Sequence, residues 1–198
     1  MKELREAKMN RNTAETQIEL ELRIDGNGTS DIRTDCGFLN HMLTLFAKHG
    51  NFDLKISCMG DTEVDFHHTV EDIGICLGKA FADAAGEFRG VKRYAHVILP
   101  MDEALILCAV DLSGRSHLTY ELSELPEKIG AFDTELAREF LLAFVRNFPI
   151  TLHVRQITGV NGHHILECVF KALARTLREA LATDPANPDG IPSTKGVL

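Results

Sequence analysis

A histidine-rich motif occurs twice in this chain of 198 residues, and the repeat constrains the fold more than any single segment does. Residues 65–71 read Asp-Phe-His-His-Thr-Val-Glu, and residues 161–167 read Asn-Gly-His-His-Ile-Leu-Glu. Matching positions of the two copies lie 96 residues apart (163 − 67). Each copy begins with Asp or Asn, residues that favour the N-cap of a helix. The chain is therefore predicted to contain two related halves, each with a helix that begins near its His pair.

A second set of matches extends the repeat toward the N-terminus at a spacing of 88 residues (103 − 15). Glu15 matches Glu103, and the alternating apolar residues of 18–24 fall on those of 106–112. Such alternation is typical of half-buried strands. The chain thus reads as two copies of a β-β-α-β-α unit, at approximately residues 11–90 and 92–183, with no low-complexity linker between them.

The predicted fold class is α+β, with duplicated half-domains related by pseudo-twofold symmetry and each sheet packed on a helix pair. We expect one compact domain over residues 1–198, ending in an irregular tail at 184–198. Strands are predicted at 16–24, 29–34, 52–58, 103–112, 117–122 and 150–156, with an extra strand of the second half at 93–99. Helices are predicted to follow Asp35, Asp65, Asp133 and Asn161 as caps and to end near residues 48, 85, 147 and 182. The turn at 25–28 is predicted to join the first two strands as a hairpin.

Charge and composition exclude several classes of protein. The formal net charge is −8, which disfavours a general nucleic-acid binder because such proteins present a basic face. The five Cys are odd in number and never form C-x-x-C, so neither a disulfide framework nor a Cys-based zinc site is expected. Residues 1–8 lack an apolar signal region, and no apolar run approaches the length of a membrane span. A cytoplasmic protein without a membrane partner is expected.

Helix geometry divides each His-His-x-x-Glu motif between two metal ions. His67 and Glu71 are four residues apart and share one helix face, so they can chelate one ion. His68 points about 100° away and would serve a different ion. The second copy repeats this division, with His163 and Glu167 on one face and His164 on another. The simplest solution is an exchange, in which each ion takes a His and a Glu from one motif and the remaining His from the other.

Two further histidines lie on predicted elements and are candidates to complete these sites. His41 falls on the first helix and His153 on the strand before the second motif. A single His of this kind more often has a structural role, whereas the duplicated motif favours a metal site. Imidazole-rich sites suit zinc, iron, nickel or manganese.

Several basic and hydroxyl residues are candidate phosphate ligands. They are Arg93, Arg115, Lys171 and, in the tail, Ser193, Thr194 and Lys195. Guanidinium and ammonium groups bind phosphate oxygens with charge-assisted hydrogen bonds. Each of them taken singly is more often a solvated surface charge, and a disordered tail is the alternative to a phosphate-binding one.

The chain resembles the imidazoleglycerol-phosphate dehydratase family over nearly its whole length. The resemblance is carried by Arg-Asn-Thr-Ala-Glu-Thr at 11–16, Phe-Leu-Asn-His-Met-Leu at 38–43, Gly-Asp at 60–61, and the segments 65–74, 100–105, 111–115, 151–153, 159–171 and 191–198. It implies the conversion of imidazole glycerol phosphate to imidazole acetol phosphate and water in histidine biosynthesis. It also implies the ribosomal protein S5 domain 2-like fold and a homo-oligomer of twenty-four subunits built from trimers, with active sites formed between subunits.

The resemblance further implies two Mn²⁺ ions per active site, with other divalent metals possible. One ion would be held by His41, His68, His163 and Glu167, and the other by His67, Glu71, His153 and His164. The phosphate would be held by Arg93, Arg115, Lys171, Ser193, Thr194 and Lys195. Glu15 and His49 would approach the substrate, with Glu15 as the candidate acid/base. Glu71 and Glu167 would also be catalytic residues, primarily because they bind the metal ions.

Two positions depart from the family pattern. Asn40 stands where the family usually has Asp, in a place suited to orienting His41. Leu45 stands where some members carry a phosphate-contacting Gln.

Two other functions are alternatives to the dehydratase hypothesis. A dinuclear phosphohydrolase would need a metal-bound water beside the phosphorus and would release phosphate from the substrate. A non-catalytic metal-binding shell protein would load metal without turnover and would not need the phosphate ligands.

Overall fold

Two sheets with the same strand order organise the chain. The described residues, 4–123 and 125–198 of this computed structural model, form ten strands and four helices. The first half runs β1 (Glu6–Asn12), β2 (Thr16–Arg23), β3 (Ser30–Arg33), α1 (Gly37–Gly50), β4 (Asp53–Gly60) and α2 (His67–Ala85). The second half runs β5 (Tyr94–Met101), β6 (Ala104–Asp111), β7 (His117–Glu121), β8 (Lys128–Ile129), β9 (Phe132–Asp133), α3 (Leu136–Asn147), β10 (Thr151–Thr158) and α4 (Gly162–Ala180).

The strand order is β1-β2-β4-β3 in one sheet and β5-β6-β10-β7 in the other. In each sheet the last pair is parallel and the other pairs are antiparallel. The α+β prediction is confirmed, but the four-stranded sheet of each half has three strands before the first long helix, where the predicted β-β-α-β-α unit has two. The missed strand of the first half is β1. Its sequence shows no clear apolar alternation, and none of its residues is fully buried. It makes β5 the counterpart of β1, so 93–99 is not an extra strand.

The predicted hairpin at residues 25–28 is wrong, because β3 pairs in parallel with β4 and has no pairing with β2. The turn instead carries the chain past the start of β4. Asp53 Oδ1 accepts the backbone N–H groups of Asn27 and Thr29 at 2.8 and 3.1 Å. Gly26 is required there, since a Cβ atom at this position would lie 2.4 Å from the Asp53 backbone nitrogen.

Each sheet buries one face against two helices, as the alternation in β2 predicts. Ile18, Leu20 and Leu22 point inward, and the residues between them are exposed. Helices α1 and α2 contact the first sheet, and α3 and α4 contact the second. The helices also pack across the halves, α1 on α4 and α2 on α3. One hydrophobic cluster therefore includes residues of both halves.

The structure confirms some of the predicted helix N-caps and contradicts others. The cap at Asn161 is confirmed, because its side chain accepts the backbone N–H groups of His163 and His164. At α2 the N-cap is Phe66, although Asp65 Oδ1 still accepts the His67 backbone N–H at 2.6 Å.

The caps predicted at Asp35 and Asp133 are wrong. Helix α1 follows Cys36, whose N–H is accepted by the Thr34 hydroxyl, and α3 follows Glu135. Asp133 is instead part of the β8–β9 hairpin. Residues 184–198 form no strand or helix. Among the described residues, no helix has the length and apolar character needed to cross a membrane.

Candidate active site

Helices α1 and α4 bring two imidazoles onto one carboxylate. Glu167 Oε2 lies 3.1 Å from His41 Nε2 and 3.2 Å from His163 Nε2. His163 and Glu167 are one turn apart on α4, while His41 comes from α1, which packs on α4. The Glu167 side chain is only 9% exposed, whereas both imidazoles are open to solvent. The cluster therefore presents metal-binding atoms at the surface from a carboxylate fixed in the protein.

A lysine one turn further along α4 supports the same carboxylate. Lys171 Nζ lies 2.5 Å from Glu167 Oε1, the oxygen that does not face the imidazoles. Burial opposes the ionisation of Glu167, but the hydrogen bonds from Lys171, His41 and His163 outweigh it and lower its pKa. Glu167 is thus held as an anion with one oxygen directed at His41 and His163, which is the state that a divalent cation binds.

The first motif shows the division of ligands that helical spacing predicts. His67 Nε2 faces Glu71 Oε2 at 3.9 Å along α2. The His67 and His68 rings are 6.1 Å apart and almost perpendicular. His68 turns away from Glu71 to Asp61, whose carboxylate lies 3.0 Å from His68 Nδ1. This hydrogen bond raises the pKa of His68 and leaves Nε2 pointing toward Glu15, 3.7 Å away.

The second motif repeats this arrangement with a different carboxylate. The His163 and His164 rings are 6.4 Å apart and almost perpendicular. His164 Nδ1 lies 2.7 Å from Glu103 Oε2, and this contact raises the pKa of His164. In both motifs, then, a carboxylate on Nδ1 orients the second His and leaves Nε2 available. Such partners fix the tautomer of a metal-binding imidazole.

The predicted four-residue ligand sets are not complete within one chain. Among the residues that the structure describes, His41, His163 and Glu167 have potential metal-binding atoms that all lie within 4.8 Å of one another, and no other such group of three occurs. His68, the expected fourth member of this set, is directed toward Asp61 and Glu15. His153 lies on the exposed face of β10 beside His117, with ring centroids 5.5 Å apart. Both complete sets remain predictions.

Five of the six predicted phosphate ligands line one pocket of about 480 Å³. These residues are Arg93, Arg115, Ser193, Thr194 and Lys195. The tail closes one side of the pocket, where Pro192 O accepts a hydrogen bond from Arg93 Nη1 at 2.7 Å. Arg93 also pairs with Asp111, whereas Arg115 Nη1 donates to the Ser113 carbonyl oxygen at 2.9 Å. Lys171 does not line this pocket and contacts Glu167 instead.

Comparison with known proteins decides the family. The profile of the imidazoleglycerol-phosphate dehydratase family matches residues 34–177. The chain is 55% identical over 195 residues to the imidazoleglycerol-phosphate dehydratase of Caldanaerobacter subterraneus, covering 98% of this chain and 100% of that protein. It is 53% identical over 195 residues to the dehydratase of Oceanobacillus iheyensis, with the same coverage. The crystal structure of the Staphylococcus aureus dehydratase superposes with a TM-score of 0.83 at 40% identity, covering 90% of this chain and 99% of that one.

The chain belongs to the imidazoleglycerol-phosphate dehydratase family. Its members are hydro-lyases, and the identity extends over nearly the whole chain, so the chain is a dehydratase of histidine biosynthesis.

The structure shows the surroundings of three further residues of this dehydratase, the two that depart from the family pattern and His49. The Asn40 side chain ties the start of α1 to Thr34, accepting from its backbone N–H and hydroxyl and donating to its carbonyl oxygen. Leu45 packs against the core. His49 is partly buried, and burial together with the nearby charges of Lys171 and Arg175 lowers its pKa.

Sequence reasoning missed the carboxylates that orient His68 and His164 in this dehydratase. Glu103 was visible as the repeat partner of Glu15, but its role was not. Its carboxylate accepts the backbone N–H groups of Val160 and Asn161 as well as contacting His164, and the contact with His164 is the largest cause that lowers its pKa to about 2. Asp61 lies seven residues before His68, and the Gly-Asp motif at 60–61 was the available signal.

Proposed function

We propose that this dehydratase is metal-dependent and converts imidazole glycerol phosphate to imidazole acetol phosphate and water. The observation that carries the proposal is the convergence of His41 and His163 on one oxygen of Glu167. A buried anionic carboxylate beside two exposed imidazoles fits a divalent ion of the manganese or zinc type. Lys171 occupies the other oxygen and leaves this face free for such an ion.

The proposed site holds two Mn²⁺ ions, and other divalent metals are alternatives. His41, His163 and Glu167 would bind one ion, with His68 as the fourth ligand. His67 and Glu71 would bind the other, with His153 and His164. Because His68, His153 and His164 lie apart from their partners within one chain, we propose that a second copy supplies them. The assembly would be a shell of twenty-four subunits built from trimers.

The dehydration removes a proton from one carbon and hydroxide from its neighbour beside the imidazole ring. The bound ions would act as Lewis acids on the ring nitrogens and stabilise negative charge on the ring. Glu15 is the proposed acid/base, because its exposed carboxylate lies 3.7 Å from His68 Nε2 and has no closer charged partner among the described residues. A carboxylate in this position can accept the carbon-bound proton directly.

The phosphate group would lie in the 480 Å³ pocket beneath the tail. Arg93 and Arg115 supply guanidinium groups, and Ser193, Thr194 and Lys195 supply hydroxyl and ammonium donors. These donors would fix one end of the substrate and orient its ring toward the metal ligands. The role proposed here for Lys171 is to hold Glu167 rather than to bind phosphate.

An assay for the acetol product tests the proposal directly. Protein stripped of metal with a chelator should show no turnover, and added Mn²⁺ should restore the activity. Glu167→Gln should reduce bound metal, because the neutral amide cannot replace the carboxylate between His41 and His163. Glu87→Gln, at an exposed glutamate paired with Arg89, is the matched control and should bind metal normally.

Glu15→Gln should retain its metal while losing turnover. Full activity in chelated protein would refute metal dependence, and release of inorganic phosphate from the substrate would identify a hydrolase instead. Normal turnover by Glu15→Gln would remove Glu15 from the reaction without affecting the metal assignment.

A further inference from the structure

An ion pair joins a buried carboxylate on α2 to a partly exposed guanidinium on β1, next to the His-His-x-x-Glu motif of α2. Asp72 follows Glu71 in α2, and its side chain is 8% exposed. One of its oxygens lies 2.8 Å from Arg11 Nη2 on β1, and the other accepts the hydroxyl of Thr16 at 2.5 Å. A buried carboxylate is costly unless it is paired and hydrogen-bonded in this way. The cluster therefore ties β1 and the start of β2 to the helix that carries His67 and His68.

The second half of the chain provides an internal comparison, because it builds the same topology without this cluster. Leu99, Ala104 and Cys168 stand at the positions of Arg11, Thr16 and Asp72.

Strand register supports the equivalence. Arg11 pairs with Ile18 between β1 and β2, and Leu99 pairs with Ile106 between β5 and β6. In place of the ion pair, the Cys168 thiol donates to the Leu99 carbonyl oxygen. The sheet-on-helix packing thus does not itself require the polar cluster.

What distinguishes the two halves is the glutamate that precedes each second strand. Glu103 is fixed by its own carboxylate, which accepts the backbone N–H groups of Val160 and Asn161 and contacts His164. Among the described residues, no backbone N–H group donates to the Glu15 carboxylate, and Asp61 rather than Glu15 contacts Nδ1 of His68.

The Glu15 side chain is 52% exposed and lies 3.7 Å from His68 Nε2, and hydrogen bonds hold the backbone of this residue. Its N–H donates to the Thr13 hydroxyl at 3.1 Å, and its carbonyl oxygen accepts from the Asp61 N–H at 3.1 Å. The Thr13 hydroxyl is in turn 3.2 Å from that of Thr16, which bonds Asp72. A chain of contacts thus runs from α2 to the backbone of the proposed acid/base.

We propose that Asp72, with Arg11 and Thr16, is a positioning residue that fixes Glu15 relative to His68. The inference rests on the proposed role of Glu15 as acid/base. The cluster supports a carboxylate that stays free for proton transfer, whereas the equivalent carboxylate of the second half binds the backbone just before α4. A displacement of about 1 Å in a reacting group can reduce a rate by about a hundredfold.

The first experiment transplants the second half's residues into the first. The variant combines Arg11→Leu, Thr16→Ala and Asp72→Cys. Replacing a whole buried ion pair by apolar residues is often tolerated, whereas removing one partner is not. The expected result is a drop in kcat of about ten- to a hundredfold, with KM, bound metal and the thermal unfolding midpoint near wild-type values.

A second pair of variants isolates one hydroxyl and remains informative if the triple variant fails to fold. Thr16→Val keeps the shape of the side chain and removes the donor to Asp72, and Thr16→Ser restores the donor. We expect kcat to fall in Thr16→Val and to recover in Thr16→Ser, with KM and metal content unchanged in both.

Wild-type kcat in a folded triple variant, or in Thr16→Val, would overturn the inference. So would a change confined to KM or to bound metal. Glu15→Gln separates this inference from the proposed function: if that variant is inactive while the triple variant turns over normally, Glu15 keeps its role and only the positioning claim fails.

Discussion

Phe81 on α2 should stabilise both halves of the chain at once. It is fully buried, and its ring lies 5.1–5.9 Å from four other aromatic rings. Phe46 and Phe52 belong to the first half, and Phe144 and Phe148 to the second. If residues 1–198 fold as one domain, Phe81→Ala should destabilise all of it in one transition.

The magnitude follows from the packing around the ring. Truncating a buried Phe to Ala typically costs about 3–5 kcal/mol, depending on how far the surroundings relax. Relaxation is limited here, because α2 and α3 are already in close contact: a Cβ atom at Gly78 would lie 2.5 Å from the Phe144 carbonyl oxygen. We therefore expect about 4 kcal/mol. For a domain of this size that corresponds to a fall of roughly 8–16 °C in the unfolding midpoint, at fixed protein concentration.

Hydrogen exchange, read separately for peptides of each half, is the decisive assay. Phe81→Ala should lower the protection of the most stable amides in both halves by the same free energy. Phe170→Ala is the matched variant, since Phe170 is buried but its aromatic partner, Phe140, lies in the same half. It should also lower protection in both halves. Loss of protection confined to the second half in Phe170→Ala, or two separate unfolding transitions, would refute the single-domain reasoning.

Three further predictions concern helix starts, helix packing and pH. Asn161→Ala removes the cap of α4 and should destabilise the protein by about 1 kcal/mol, measured by denaturant unfolding; an unchanged midpoint would deny the cap any energetic role. Gly78→Ala should destabilise the protein through its clash with α3, by about 1–3 kcal/mol, whereas Gly37→Ala, where a Cβ atom meets nothing within 4 Å, should be neutral or slightly stabilising. The His164–Glu103 contact lowers the pKa of Glu103 to about 2 and raises that of His164. The contribution of Glu103 to stability is therefore present above its ordinary pKa near 4.5 and is lost as the pH falls toward 2. The contribution of His164 to stability is present below its ordinary pKa of about 6.5 and is lost as the pH rises through its raised pKa. In metal-free protein, Glu103→Gln should lower the His164 pKa seen by NMR; an unchanged value would contradict the contact.

Residues close together in sequence determined much of the site. The Asn161 cap, the four-residue spacing of His163 and Glu167, and the different directions of the two histidines of each pair follow from the geometry of one helix. The alternation in β2 likewise fixed which of its faces is buried. The repeat spacing then predicted an α+β chain with two related halves.

The sequence could not supply contacts between distant segments, because these depend on packing rather than on local periodicity. The parallel pairing of β3 with β4 replaces the hairpin that the turn at 25–28 suggested. His164 likewise meets Glu103, 61 residues earlier in the chain, although neither residue indicates this partner by its spacing.

The tertiary structure also decided which histidines meet. His41 and Glu167 are 126 residues apart and come together because α1 packs on α4. His68, on α2, lies instead beside Asp61 and Glu15, so the motifs determine the types of ligand while the fold determines their partners. The Arg11–Asp72 pair is a contact of the second kind, since neither residue reveals its partner until β1 lies against α2.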